Sequence, residues 1–98
     1  MPSADENIFA LHRAGVAFLL IDLDLAMTFL DIADTSRSAE TVCRNRQHAR
    51  TAYESVSVLL PHLTLTADEW QRIQEKLSAV DIRLEAAKGE LDGAHQRI

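Results

Sequence analysis

The chain has few of the residues that interrupt helices or cross-link small folds. Its 98 residues include three glycines, two prolines and one cysteine, Cys43, and only 5% are aromatic. Gly and Pro weaken helices, so their scarcity beside plentiful Ala, Leu and Glu favours helices over strands. A single cysteine excludes an internal disulfide, which places the chain outside the disulfide-stabilised secreted class and makes a reducing cytoplasm the expected location.

Positive charge is also scarce. Ten Lys and Arg residues stand against 15 Asp and Glu, for a formal net charge of -5. This balance argues against general nucleic-acid binding, which draws its affinity from a positive field. The most apolar window, residues 14–30, contains Asp22 and Asp24, and each would cost about 2.5 to 3.5 kcal/mol inside a bilayer. We therefore expect no membrane-spanning helix, and no signal-peptide pattern follows Met1.

Local signals predict where a first helix begins and ends. Ser3 and Glu6 have the spacing of a capping box, in which each side chain accepts a hydrogen bond from the backbone of the other residue. The break DTSRS, residues 34–38, is rich in residues that form turns and cap helices. The first helix is therefore predicted at about 4–34.

Two further helices follow the break. The second is predicted at about 39–60 and ends at Pro61, which has no backbone N–H to donate. Thr66 and Glu69 form a second capping box that begins a third helix at about 67–92.

Each of the two later helices has one apolar face with helical spacing. Gly89 and Gly93 are expected to weaken or end the third helix. The face on the second helix comprises Val42, Ala49, Ala52, Tyr53, Val56, Leu59, Leu60 and Leu63. The face on the third comprises Trp70, Ile73, Leu77, Val80, Leu84, Ala87 and Leu91. Short connections make successive helices antiparallel neighbours. We predict a single all-α domain over residues 1–98, an antiparallel up-down-up three-helix bundle.

Part of this pattern is similar to a tetratricopeptide repeat. The spacing of the second helix of such a repeat is found at Ala49, Tyr53, Val56 and Pro61. The spacing of a following first helix is found at Trp70, Ile73 and Leu77. The resemblance implies local packing of two helices. Gln74 stands where the repeat has Gly, and no complete 34-residue unit is present.

The stretch FLLIDLDLAMTFLD contains an Asp-x-Asp pair, Asp22 and Asp24, that resembles the nucleophile strand of haloacid-dehalogenase-type phosphatases. That family has Thr or Val two residues after the second Asp, where this chain has Ala26, and it needs a sheet for which the chain is too short. On a helix the two carboxylates would lie about 160° apart. They could not act together.

No other group of residues has the spacing that catalysis requires. The four histidines are scattered, and Cys43 and His48 would lie about 140° apart on a helix. We find no acid-base pair, activated nucleophile, phosphate loop or metal cluster. We therefore expect a protein that is not an enzyme, with no catalytic, cofactor-binding or metal-binding residues.

The first helix has more apolar surface than two neighbouring helices readily cover. One apolar face comprises Phe9, Val16, Leu20, Leu23, Met27 and Leu30. A second, opposite face comprises Leu11, Phe18, Asp22, Leu25 and Phe29. Either the chain sandwiches this helix or a second chain covers it. We predict that the chain is a non-catalytic interaction or scaffold module and that the second face is its interface. The expected assembly is a homodimer, which would contain six helices if the bundle closes within each chain. A different protein is the alternative partner.

Charge is unevenly distributed along the chain. Residues 1–36 carry one Arg and six acidic residues, whereas residues 37–62 carry four Arg and two Glu. An antiparallel hairpin places these segments side by side, so we predict that Arg44, Arg46 and Arg50 pair with acids of the first helix, within a chain or across a dimer. Such surface pairs contribute about 0 to 1 kcal/mol each. The alternative is that the same arginines, in CRNRQHAR, bind nucleic acid.

Overall fold

The structure is a computed structural model that describes the backbone of residues 4–96 and the side chains of residues 12–88. It contains three long helices: α1 (Ala4–Thr35), α2 (Ala39–Leu59) and α3 (Ala67–Gln96), with a short 3-10 turn at Leu60–His62 after α2. No strand occurs in residues 4–96. The predicted all-α three-helix bundle is confirmed.

The order of the helices follows from the short connections and from the residues that meet across them. Three residues join α1 to α2, which forces an antiparallel hairpin. His12 contacts Glu69 and Asp31 contacts Arg83, so α3 runs in the same direction as α1. The chain therefore runs up, down and up.

Serine side chains form the turn between α1 and α2. Ser38 accepts a hydrogen bond from the backbone N–H of Thr41 at 3.3 Å, and Ser36 accepts one from the N–H of Ser38 at 3.2 Å. A capping serine satisfies a backbone donor that the first turn of a helix leaves without a partner. Ser38 is therefore the N-cap of α2, and it lies within the break at residues 34–38 that the sequence indicated.

The second connection begins with the 3-10 turn Leu60–His62, which contains Pro61. The capping box at the start of α3 is formed as predicted: the N–H of Thr66 donates to Glu69 Oε1 at 2.9 Å, and the N–H of Glu69 donates to Thr66 Oγ1 at 3.2 Å. The other predicted capping box, Ser3 with Glu6, lies outside the described residues.

The end of α3 differs from the prediction. We expected it at about residue 92, weakened by glycines, whereas the helix continues to Gln96 through Gly89 and Gly93. A single glycine in a helix costs about 1 kcal/mol relative to alanine, which lowers helix stability without ending the helix.

All three helices contribute to one core. It contains Val16, Leu19, Leu23, Ala26, Leu30, Ala49, Ala52, Val56, Leu60, Ile73, Val80 and Leu84. Two residues predicted on the apolar faces are largely exposed instead, Leu59 at 41% and Trp70 at 49%. Both lie in terminal turns of their helices, where neighbouring helices cover less of the surface. In the described part of the chain, no helix combines the length and apolar character needed to cross a membrane.

Candidate functional site

The outer side of α1 exposes several large apolar side chains. Phe18 is 51% exposed, Ile21 64%, Leu25 44% and Ile32 42%. Together with exposed Ala14 and Thr28 they follow alternating spacings of four and three residues, the a and d positions of a heptad. We call this set the α1 stripe: Ala14, Phe18, Ile21, Leu25, Thr28 and Ile32.

The α1 stripe only partly matches the interface predicted from the sequence. Phe18 and Leu25 belong to both sets. Asp22 and Phe29 are half-buried, and the Phe29 ring lies 5.1 Å from the His48 ring of α2. The side chain of Leu11 is outside the described residues. The interface role of this face stays a prediction.

Sequence reasoning missed Ile21 and Ile32, which expose a large part of their surface. Their signal was present as the heptad spacing that starts at Phe18. It was hidden because α1 is apolar around most of its circumference, so a helical projection alone did not separate the core face from the exposed one.

Acidic residues along one edge of the α1 stripe form ion pairs with α3. Lys76 Nζ lies 2.6 Å from Asp24 Oδ1. The Arg83 guanidinium contacts two carboxylates, with Nη1 at 2.7 Å from Asp31 Oδ1 and Nη2 at 2.6 Å from Asp34 Oδ2. Partial burial of Arg83 disfavours its charge, but the hydrogen bonds from the two aspartates outweigh this and raise its pKa above the ordinary value. These pairs link α3 to α1 at two points along their length.

Asp24 and Asp31 thus each have a cation of α3 as a partner, Lys76 and Arg83 respectively. The buried face of α2 comprises Asn45, Ala49, Ala52 and Val56. The three arginines, Arg44, Arg46 and Arg50, neighbour that face in sequence and lie about 100° to either side of it. Their pairing with acids of α1, within a chain or across a dimer, stays a prediction.

A second link joins α1 to the start of α3. His12 Nε2 lies 3.0 Å from Glu69 Oε1, the oxygen that also accepts from the Thr66 N–H. Two hydrogen bonds lower the pKa of Glu69 below its ordinary value. The one from the Thr66 backbone has the larger effect and the one from His12 the smaller. The capping box thus also anchors α3 to α1.

A groove of about 550 Å³ separates the first half of α2 from the later part of α3. We call it the α2–α3 groove. Its lining residues are Arg37, Ala39, Val42, Cys43, Arg46, Gln47, Arg50, Leu84, Ala87 and Lys88. Four of the ten are cationic, and none of these described lining residues is acidic. Arg44 is exposed outside the groove, so the three arginines singled out in the sequence do not share one surface.

The Asp-x-Asp pair does not form a catalytic strand. Asp22 and Asp24 lie within helix α1, and Asp24 is held by Lys76. Among the described residues no group of three or more His, Cys, Asp or Glu side chains could hold a metal ion. Comparison of the chain with protein-family models, with curated proteins and with solved structures found no match. Among the described residues, the α1 stripe is an exposed apolar surface and the α2–α3 groove is a concave surface with cationic and apolar lining.

Proposed function

We propose that this chain is a non-catalytic helical interaction module that forms a homodimer through the α1 stripe. The observation that carries the proposal is the run of four large apolar side chains, Phe18 to Ile32, each 42% to 64% exposed. Contiguous apolar patches on protein surfaces mark interaction sites, whereas single exposed apolar residues need no explanation.

A second copy of the chain suits this stripe because heptad spacing is self-complementary. When two helices pack at a and d positions, the side chains of one fill the holes of the other. In an antiparallel pair centred near Leu23, Ile21 faces Leu25 of the second copy. In the same register Phe18 faces Thr28, and Ala14 faces Ile32. Each large side chain then meets a smaller one or one of similar size, which favours dense packing.

The ion pairs with α3 also favour self-association. A symmetric dimer brings the same edge of two stripes together, and like charges at such an edge oppose association. Asp24 and Asp31 stand at that edge, and each already has a cation of its own chain at 2.6 to 2.7 Å. Local neutralisation lowers the repulsion that two bare acidic edges would produce.

The proposal is tested by light scattering on the wild type and on two lysine variants over a range of concentrations. Ile21→Lys alters the stripe. Val58→Lys is the matched control, because Val58 is 66% exposed on α2 and lies outside the stripe, while Ile21 is 64% exposed. Full burial of such a side chain is worth about 2 kcal/mol, so covering the exposed part of Ile21 contributes about 1.3 kcal/mol per protomer.

In a symmetric dimer that contribution counts twice, so Ile21→Lys should weaken the dimer by nearly a hundredfold in Kd. Val58→Lys should associate like the wild type. A wild type that stays monomeric at several hundred micromolar, or two variants that weaken association equally, would refute dimerisation through the stripe.

The orientation of the helices is tested by disulfide cross-linking in a Cys43→Ser background. In the antiparallel register a variant with both Ala14→Cys and Ile32→Cys should form a cross-linked dimer. Ala14→Cys alone should not, because its two copies would lie about 27 Å apart along the helices, well beyond the reach of a disulfide. Cross-linking of Ala14→Cys alone would show a parallel pair instead.

Nucleic-acid binding through Arg44, Arg46 and Arg50 remains the second proposal. It predicts retention on DNA or RNA that falls steeply with salt and is lost when all three become Glu. The net charge of -5 and the position of Arg44 outside the groove rank it below dimerisation.

A further inference from the structure

The α2–α3 groove joins an apolar floor to cationic ends. Val42, Leu84 and Ala87 supply apolar surface in its middle. Arg46 and Arg50 follow Val42 by one and two turns of α2, whereas Arg37 and Lys88 lie toward the other end. The groove therefore concentrates four of the chain's ten Lys and Arg residues, although the whole chain has a net charge of -5.

We propose that the α2–α3 groove binds a small anionic amphiphile, an alkyl or aryl body with a carboxylate, sulfonate or phosphate group. Ligand sites of this kind are mostly apolar, have a few well-placed polar groups and measure about 300 to 1,000 Å³. The groove has a volume of about 550 Å³ and falls within that range. The apolar body covers the floor, and the anionic group meets a guanidinium or ammonium at either end.

The chemistry of the lining favours this class of ligand over others. No acidic side chain among the described lining residues opposes an anion, and four cations disfavour a cationic amphiphile. A free inorganic anion would leave the apolar floor uncovered. A nucleic acid would need cations spread along its phosphates, whereas this groove places apolar side chains between its cations.

Cys43 provides a natural reporter for the groove. It is the only cysteine of the chain, it is exposed, and it lines the groove. A ligand bound in the groove would shield Cys43 and slow its labelling by uncharged N-ethylmaleimide. An amphiphile that bound only at the α1 stripe would leave that rate unchanged, and one that unfolded the chain would raise it.

The test measures labelling of the full chain with decanoate or decyl phosphate below their micelle concentrations. Both should slow the labelling in a saturable manner, and the two probes separate a preference for carboxylate from one for phosphate. Decyltrimethylammonium and inorganic phosphate should give little protection. Protection by the cationic amphiphile equal to that by decanoate, or no protection by either anionic probe, would overturn the proposal.

Charge-reversed variants test the role of the cations. Arg50→Glu combined with Lys88→Glu should weaken protection by roughly tenfold or more, because charge-assisted contacts to the head group are lost. Arg44→Glu combined with Arg72→Glu is the matched control, since both residues are exposed outside the groove. If both double variants lose protection of Cys43 equally, the assignment of the ligand to this groove is wrong. It is also wrong if a short oligonucleotide protects Cys43 as well as decanoate does. In Ile21→Lys, which alters the α1 stripe, decanoate should still protect Cys43. The groove proposal can therefore fail or succeed independently of dimerisation.

Discussion

Replacement of Arg83 by methionine should destabilise the bundle more than any other single change of a surface cation on α3. Arg83 bonds Asp31 at 2.7 Å and Asp34 at 2.6 Å, and its side chain is only 25% exposed. Methionine keeps much of the apolar stem and removes the guanidinium. Exposed pairs contribute about 0 to 1 kcal/mol each, and the carboxylates here are 70% and 58% exposed, so we expect a loss of about 1 to 1.5 kcal/mol for the two.

In a domain of this size such a loss lowers Tm by roughly 4 to 12 °C, which thermal unfolding followed by circular dichroism resolves. Lys76→Met, which removes one exposed pair, should cost about half as much or less. The control is Arg72→Met, because Arg72 is exposed on α3 and has no ion pair among the described residues; it should stay within about 0.5 kcal/mol of the wild type. High salt screens the ion pairs and should therefore reduce the difference in Tm between wild type and Arg83→Met. If Arg83→Met unfolds at the same temperature as Arg72→Met, the ion pairs do not hold α3 on α1.

Two further substitutions test the α1–α3 contacts and the α1 backbone. Because the pKa of Glu69 is lowered in the folded chain, its charge stabilises the fold above the ordinary value of 4.5, and this contribution is lost as pH falls through the lowered pKa. The difference in unfolding free energy between wild type and Glu69→Gln, measured in urea, should therefore shrink as pH falls below about 4.5. A difference that persists unchanged at pH 2 would contradict this. Gly15→Ala should stabilise the chain by about 0.5 kcal/mol, since alanine favours a helix by about 0.8 to 1 kcal/mol and the new Cβ would lie 3.2 Å from Leu63 Cδ2, the end of a flexible side chain. A lower denaturation midpoint for this variant would show that Leu63 cannot move.

The features that could be predicted from the sequence are those that depend on residues close together in the chain. The Thr66 and Glu69 capping box involves positions three apart, and its two hydrogen bonds form as expected. The Ser38 cap is equally local. Because each of these interactions is decided within one turn, the starts of α2 and α3 were visible before any packing was known.

The partners of the α1 acids could not be predicted in the same way. Net charge per segment indicated that α2 would neutralise α1, yet charge totals do not specify the direction in which a side chain leaves its helix. Lys76 and Arg83 lie in a segment with net negative charge, so segment totals gave no indication that they would supply the partners.

The ion pairs between α1 and α3 have a consequence for assembly during folding. A chain in which α3 has not docked would carry bare carboxylates at Asp24 and Asp31 beside the apolar side chains of the α1 stripe, and two such chains would repel each other at that edge. If the chain dimerises through the stripe as proposed, docking of α3 would make the stripe competent to associate, and incomplete chains would be disfavoured as partners. In a dimer built this way, association and tertiary folding stabilise each other, and resistance to unfolding rises with protein concentration.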